Sequence, residues 1–186
     1  HPSFLSTLPN KEWFNGCVEI LKAGLVADRE LFENLETWPL EQVIQRAIEV
    51  KRRIVALDPT EKGLRRILNL GHTIGHALET LSNYQLSHGE AVAAGIVLEA
   101  HISYEMGILS EASYLQIANR FPPVSLAIDP EKMLQVLRVD KKSMQGCPRF
   151  VLLKEIGVPL ESDGEYCREV PPEILEKVLH EALCPC

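Results

Sequence analysis

The sequence predicts a mainly α-helical, multi-helix domain with a small β-hairpin near residues 149–160. Three observations point there. Apolar residues recur three and four apart through most of the chain, the period of a helix with one buried face. Cap and turn residues punctuate these stretches at ordinary helix lengths, from Asp28 and Trp38-Pro39 to Asp129-Pro130 and Pro171-Pro172. Only residues 149–153 (Arg-Phe-Val-Leu-Leu) and 157–160 (Gly-Val-Pro-Leu) read as short strands.

In chain order, residues 1–9 are apolar and punctuated by prolines, which predicts an extended lead-in. A first helix is expected from Lys11 to Ala27, with Glu19 and Lys22 three apart on one face. Asp28 suits the cap of a short helix ending near Trp38-Pro39. Residues 40–57 form a long amphipathic helix whose apolar members are Val43, Ile44, Ala47, Ile48, Ile54 and Val55. Asp58-Pro59-Thr60 makes a turn, and Glu61-Lys62-Gly63 leads into a central helix over 64–81.

Ser87 caps the next helix, which runs to about Met106. Its segment AVAAGIVL is apolar all round, so it should be the most buried, and Gly95 with its alanine neighbours lets another helix approach closely. Gly107 ends it, Ser110 starts a short helix reaching Asn119, and Phe121-Pro122-Pro123 breaks the chain. Asp129-Pro130 opens a further helix ending in Asp140-Lys141-Lys142, and Pro171-Pro172 precedes a last one reaching Leu183.

With 186 residues the chain can bury one substantial core, so it is read as a single domain over 1–186. A formal charge of −7 gives no support for a nucleic-acid binder. No apolar run approaches a membrane span and no signal-peptide pattern opens the chain, so no membrane partner is expected. The five cysteines are scattered and lack zinc-finger spacing, which fits a reduced, cytoplasmic protein. Cys184-Pro185-Cys186 is read as a frayed tail.

The central segment carries the chemistry. Advanced by about 100° per residue, Ile67, Leu70, Gly71, Ile74, Leu78 and Leu81 gather on one stripe. The opposite side holds Arg65, Asn69, His72 and His76, where a merely wet face would carry Lys and Glu. His72 and His76 project side by side, a geometry suited to a metal ligand beside an acid/base group. A catalytic zinc takes three protein ligands and keeps an open position. His72, His88 and Glu19, a carboxylate inside an otherwise apolar helix, are the candidates; hydrogen-bonded structural histidines explain the pattern about equally well. His101 and His180 have no such company and are read as structural.

Lys51, Arg65, Lys141 and Lys142 are candidates for an anion site. Read alone, Lys51-Arg52-Arg53 and Asp140-Lys141-Lys142 are better explained as solvated helix ends. The glycines are dispersed and form neither GxGxxG nor a P-loop, so a nucleotide cofactor would be held mainly by residues outside this chain.

The stretches FLSTLPNKEW, GCVEILKAG, EKGLRRILNLGHTIGHALE, LSHGEAVAAGIVLEA, VDKKSMQG and RFVLLKEIG closely resemble the C-terminal helical domain of the 3-dehydroquinate synthase family. The likeness runs from about Pro2 to Gly157, and the pair GHTIGHALE and HGEAVA is its most specific part. The resemblance implies Glu19, His72 and His88 as ligands of zinc or cobalt. It places His76 and Glu61 among the acid/base groups and Lys22 beside the metal carboxylate. Lys51, Arg65, Asn69 and one or both of Lys141 and Lys142 would hold the substrate. Val18 and Ala23 depart from the alanine and tyrosine usual there.

The implied reaction converts 3-deoxy-arabino-heptulosonate 7-phosphate, a small sugar phosphate, to 3-dehydroquinate in the shikimate pathway. NAD oxidises a ring hydroxyl, phosphate leaves by β-elimination, the hydride returns, the ring opens and an aldol step closes the carbocycle. In the family NAD sits on an N-terminal dinucleotide-binding α/β domain, and this chain begins where that domain should end. That domain is thus an expected partner, either cut away or supplied separately, within a full-length homodimer. Two alternatives are a related cyclase of the 2-deoxy-scyllo-inosose or aminodehydroquinate type and a stand-alone metal-binding module. Intact Lys51, Arg65, Asn69 and His76 count against the second.

Overall fold

Cap residues set several of the helix boundaries in the computed structural model, which describes residues 2–122, 128–139 and 148–183. Helix α1 spans Asn10–Ala27, α2 Arg29–Asn34 and α3 Leu40–Leu57. Asp28 ends α1 and starts α2, its carboxylate accepting the Leu31 N–H at 3.1 Å. The same carboxylate receives both ends of the Arg46 guanidinium at 2.7 and 2.8 Å, which ties α2 to α3. Helix α4 spans His72–Leu81 and α5 His88–Glu105. Ser87 and Glu90 form a reciprocal capping box at the start of α5, and Gly107 ends it at φ +68°. Helices α6 (Glu111–Ala118), α7 (Pro130–Val139) and α8 (Pro172–Leu183) follow, Ser110 capping the first of them.

Several expectations need correction. Residues Pro2–Thr7 form a 3-10 helix rather than an extended lead-in, because the Ser6 and Thr7 hydroxyls donate back to the Ser3 and Phe4 carbonyls and close a tight turn. The helix expected over 64–81 is broken. Leu64–Asn69 is a 3-10 helix, Leu70 is extended (ψ 128°), Gly71 is left-handed at φ +77°, and α4 starts only at His72. The apolar stripe survives the break: Ile67, Leu70, Ile74 and Leu78 are all buried.

The hairpin is real but shorter than expected. Strand β2 (Leu153–Glu155) pairs with β3 (Val158–Pro159) around Gly157, whose N–H donates to Leu25 at the end of α1. Strand β1 (Arg149–Val151) pairs instead with β4 (Cys167–Glu169), for which no strand was expected. Phe150, Val151, Leu152 and Leu153 are all buried, so no polar alternation marks where one strand ends and which partner it takes.

One apolar cluster joins α1, α2, α3 and α5; a second joins α4, α5, α7 and α8. Helix α5 serves both, as its all-round apolar pattern requires. Helix α4 packs on it most extensively. Ile48, expected in the core face of α3, is instead 60% exposed. It lies beside a cleft at the edge of the first cluster. Among the described residues no helix is long and apolar enough to cross a membrane.

Close approach of α4 to α5 depends on Gly95. A β-carbon there would sit 2.0 Å from the Gly71 carbonyl oxygen, whereas one at Gly16 on α1 meets nothing within 4 Å. Gly95→Ala should therefore destabilise by about 2–3 kcal/mol, as overpacking does. Gly16→Ala should stabilise by up to about 1 kcal/mol. Thermal melts of the two variants read the opposite signs.

Candidate metal centre and adjoining cleft

Three elements deliver the polar side chains. Helix α1 contributes Glu19 and Lys22 from adjacent turns. The first turn of α4 contributes His72, with His76 one turn on, and the first residue of α5 is His88. The His72 and His88 rings lie 5.3 Å apart, and His76 lies 5.4 Å from His72 and 6.4 Å from His88. His72 Nε2 is 4.0 Å from Glu19 Oε1, and His88 Nε2 is 3.9 Å from the same oxygen. Donor atoms around a four-coordinate zinc stand roughly 3.3 Å apart, so a modest inward movement would seat the ion.

The ring hydrogen bonds suit that use. His72 Nδ1 lies 3.1 Å from the Leu70 carbonyl, which accepts a hydrogen bond from the Nδ1–H tautomer and leaves the Nε2 lone pair available. His88 Nδ1 lies 3.1 Å from Glu79 Oε1, a carboxylate–imidazole pairing that likewise turns Nε2 toward Glu19. Burial, helped by the Lys22 ammonium, pushes His72 down to about 4, so the ring is neutral at physiological pH. Burial would raise Glu19, but the charge and hydrogen bond of Lys22, with both imidazoles, carry it below the usual range. Lys22 is itself lowered by burial, an effect that Glu19, at 2.8 and 3.0 Å, partly offsets.

Glu19, Lys22 and His72 form one wall of a cleft of about 430 Å³. Lys51 on α3 and Arg65 and Asn69 on the 3-10 helix Leu64–Asn69 line it too, as does Glu61, with Ile48 and Leu68 supplying apolar surface. Arg65 is held through its Nη1 on the Pro59 carbonyl at 3.0 Å. The Asp58 carboxylate, brought down to about 2 by backbone N–H donors led by Gly63, organises the turn beneath it. Glu61 sits at φ +56° and accepts from Asn69 Nδ2 at 2.7 Å. Thus Glu19, Lys22, Lys51, Glu61, Arg65, Asn69 and His72 share one cleft, with His76 and His88 beside His72. Lys141 and Lys142 lie outside the described residues, as do Cys184 and Cys186.

Three further residues hydrogen-bond to this cluster or to the helix starts that carry it, and were not singled out from the sequence. Asn15, one turn before Glu19, accepts the Gly89 N–H at 2.9 Å and so fixes α1 to the start of α5. Glu79 lies on the His72 and His76 face of α4, seven and three residues on, which was a legible signal. Glu99, a fully buried carboxyl in apolar α5, accepts the Gly71 N–H at 2.8 Å. It carries the same signal that singled out Glu19: an acid within an apolar helix. A second group, His101, Glu105 and Glu181, also brings three donors together. There His101 stacks on Tyr114 and Lys177 already pairs with Glu105, in keeping with a structural role.

Fold and donor set define a class: a helical domain in which two imidazoles and a carboxylate converge at the wall of a cleft carrying three cations. The chain belongs to the 3-dehydroquinate synthase C-terminal family, whose model matches residues 16–143. It is 38% identical to the 3-dehydroquinate synthase of Dehalococcoides mccartyi, covering 87% of this chain and 49% of that protein. With that of Pyrococcus furiosus it shares 37%, covering 96% and 54%. The chain thus spans about half the length of the curated relatives it matches. Among solved structures it matches a 2-epi-5-epi-valiolone synthase from Streptomyces hygroscopicus, with NAD+ and Zn2+ bound, at TM-score 0.81 and 27% identity, covering 96% of this chain and 53% of that one. A 2-deoxy-scyllo-inosose synthase at TM-score 0.80 and 23% identity shares the fold.

The state of His72 predicts a pH dependence for the metal-free chain. Unfolded, this imidazole takes up a proton near pH 6.5; folded, it resists until about pH 4. Stability from this group is therefore complete above pH 6.5 and lost as the pH falls toward 4. The melting temperature should drop through that window, and His72→Gln should flatten the drop.

Proposed function

We propose that this chain is the metal- and substrate-binding half of a 3-dehydroquinate synthase, acting on 3-deoxy-arabino-heptulosonate 7-phosphate. The observation that carries the reading is the convergence of Glu19, His72 and His88, the first two of which line the same cleft as Lys51, Arg65 and Asn69. The curated relatives of that name, 37–38% identical over most of this chain, favour this substrate over those of the related cyclases.

Glu19, His72 and His88 would hold a zinc or cobalt ion, since two imidazole nitrogens and a carboxylate oxygen suit either. When bound, the ion polarises hydroxyl and carbonyl oxygens, and NAD accepts and returns a hydride. Lys22 keeps Glu19 ionised and oriented. Lys51 and Arg65 bind the anionic groups of the substrate, and Asn69, steered by Glu61, meets a hydroxyl. His76, beside His72 yet not one of the three donors, moves a proton at the reacting centre, with Glu61 as a second acid/base group. The sequence holds neither GxGxxG nor a P-loop pattern, so NAD would be held mainly by a dinucleotide-binding domain of the kind the family carries.

The test is phosphate release from the heptulosonate phosphate in the presence of NAD and zinc. The chain alone should release none, and addition of the dinucleotide-binding half, fused or in trans, should restore turnover. His76→Ala in the two-domain protein should lower that turnover by about 100-fold. NAD-dependent release by the isolated chain would refute the division of labour.

Anion binding gives an independent check on this chain. Arg65→Ala should weaken sulfate or phosphate binding by about tenfold, the loss of one charge-assisted hydrogen bond. Arg52, exposed and paired with Glu49 at 2.7 Å, should matter little when replaced by Ala. Calorimetric titration distinguishes the two; equal losses would mean a diffuse basic surface.

A further inference from the structure

We propose that Glu99 is a positioning residue of the metal centre: from the middle of α5 it caps the N-terminus of α4 in place of the side chain Gly71 lacks, and so fixes His72 against His88. The proposal rests on the metal reading of Glu19, His72 and His88.

A helix begins with N–H groups that have no partner within it, and the side chain of the preceding residue ordinarily accepts one from the second or third helical position. The residue preceding α4 is Gly71, left-handed and without a side chain. Glu99 supplies the missing acceptor from another helix. Its Oε2 takes the Gly71 N–H at 2.8 Å, and the N–H of Ile74, the third residue of α4, is near enough to act on the same carboxyl. The helix dipole makes this end a favourable place for an acceptor.

The carboxyl is 0% exposed, and its Oε1 has no hydrogen-bond partner among the described residues. Burying such a group costs free energy that an alanine or leucine would not, and no second hydrogen bond at Oε1 offsets it. Lys22 lies close enough to act on Glu99, but its ammonium is held by Glu19. What Glu99 holds is the start of α4.

Placement follows from the face of α5 involved. His88, Val92, Gly95, Glu99 and Ser103 succeed one another at intervals of four, three, four and four, so they share one side of the helix. That side carries a donor to the proposed ion, the bare backbone that admits the Gly71 carbonyl, and the cap. Sliding α4 along α5 by one residue, about 1.5 Å, would break the cap and spoil a donor spacing that a metal tolerates only to a few tenths of that. Ser103 secures the same stretch, donating to the Glu99 carbonyl at 2.7 Å and accepting the Leu153 N–H at 3.1 Å. Because burial raises the Glu99 carboxyl to about 8, a neutral acceptor of the same length should serve equally.

The experiment uses this chain with Glu99→Gln, Glu99→Leu and Glu99→Ala, each confirmed as folded by its melting curve. Two quantities are read: hydrogen exchange at the Gly71 and Ile74 amides without metal, and cobalt(II) affinity followed by visible absorption. In Glu99→Leu both amides should exchange at least about tenfold faster, with Ile102 and Val178 unchanged, and cobalt affinity should fall about 10–100-fold. Glu99→Gln should stay within about threefold of the parent in both readings. If the leucine variant does not fold, the smaller alanine is read in its place.

Parent-like cobalt affinity or parent-like exchange in a folded Leu or Ala variant overturns the proposal. So does a Gln variant that fails as badly as Leu. Cobalt that binds the parent and His72→Ala alike would refute the metal reading instead, and amide exchange would then decide the cap by itself.

Discussion

The contact on which this domain depends is between two pieces of bare backbone. Gly71 turns the chain left-handed between the 3-10 helix and α4, and its carbonyl rests where a side chain on Gly95 would otherwise stand. Helix α5 is apolar on every side and holds both core clusters together. The Gly71–Gly95 contact sets how deeply α4 enters that core, and therefore how far the first residues of α4 and α5 stand apart. Those residues are His72 and His88.

A second constraint acts across α1. Asn15 grips the Gly89 amide one turn before Glu19 faces the imidazoles, so the carboxylate and His88 are registered by one hydrogen bond. Within this frame the charges are interdependent. Lys22 is buried and would be costly there alone; Glu19 compensates it, and Lys22 in turn helps hold His72 neutral. A cation entering among Glu19, His72 and His88 would therefore meet one anion and the neutral His72 ring, with an ammonium already paired behind them.

Most of the candidate site was legible in the sequence because its residues follow helical periodicity. The polar face of Arg65, Asn69, His72 and His76 stood out against an apolar stripe, and Glu19 stood out within an apolar helix. The break at Gly71 was not legible, since the stripe through Ile67, Leu70, Ile74 and Leu78 stays continuous whether the backbone is one helix or two. Ile48 kept helical spacing but faces a cleft, because periodicity marks an apolar side without saying what covers it. The pairing of β1 with β4 escaped for a similar reason: four consecutive buried residues carry no alternation. Asn15 escaped for another reason, because an Asn on a helix announces no distant partner, whereas Glu79 and Glu99 carried usable signals.

The proposed metal centre needs two imidazole nitrogens and one carboxylate oxygen on a single ion. X-ray absorption at the zinc edge of the metal-loaded chain measures that shell directly. Two imidazole ligands with light oxygen neighbours near 2.0–2.2 Å, and loss of the imidazole signature in the double variant His72→Ala, His88→Ala, is the expected result. Sulfur at about 2.3 Å, or a shell unchanged by the double substitution, would place the metal elsewhere and contradict it.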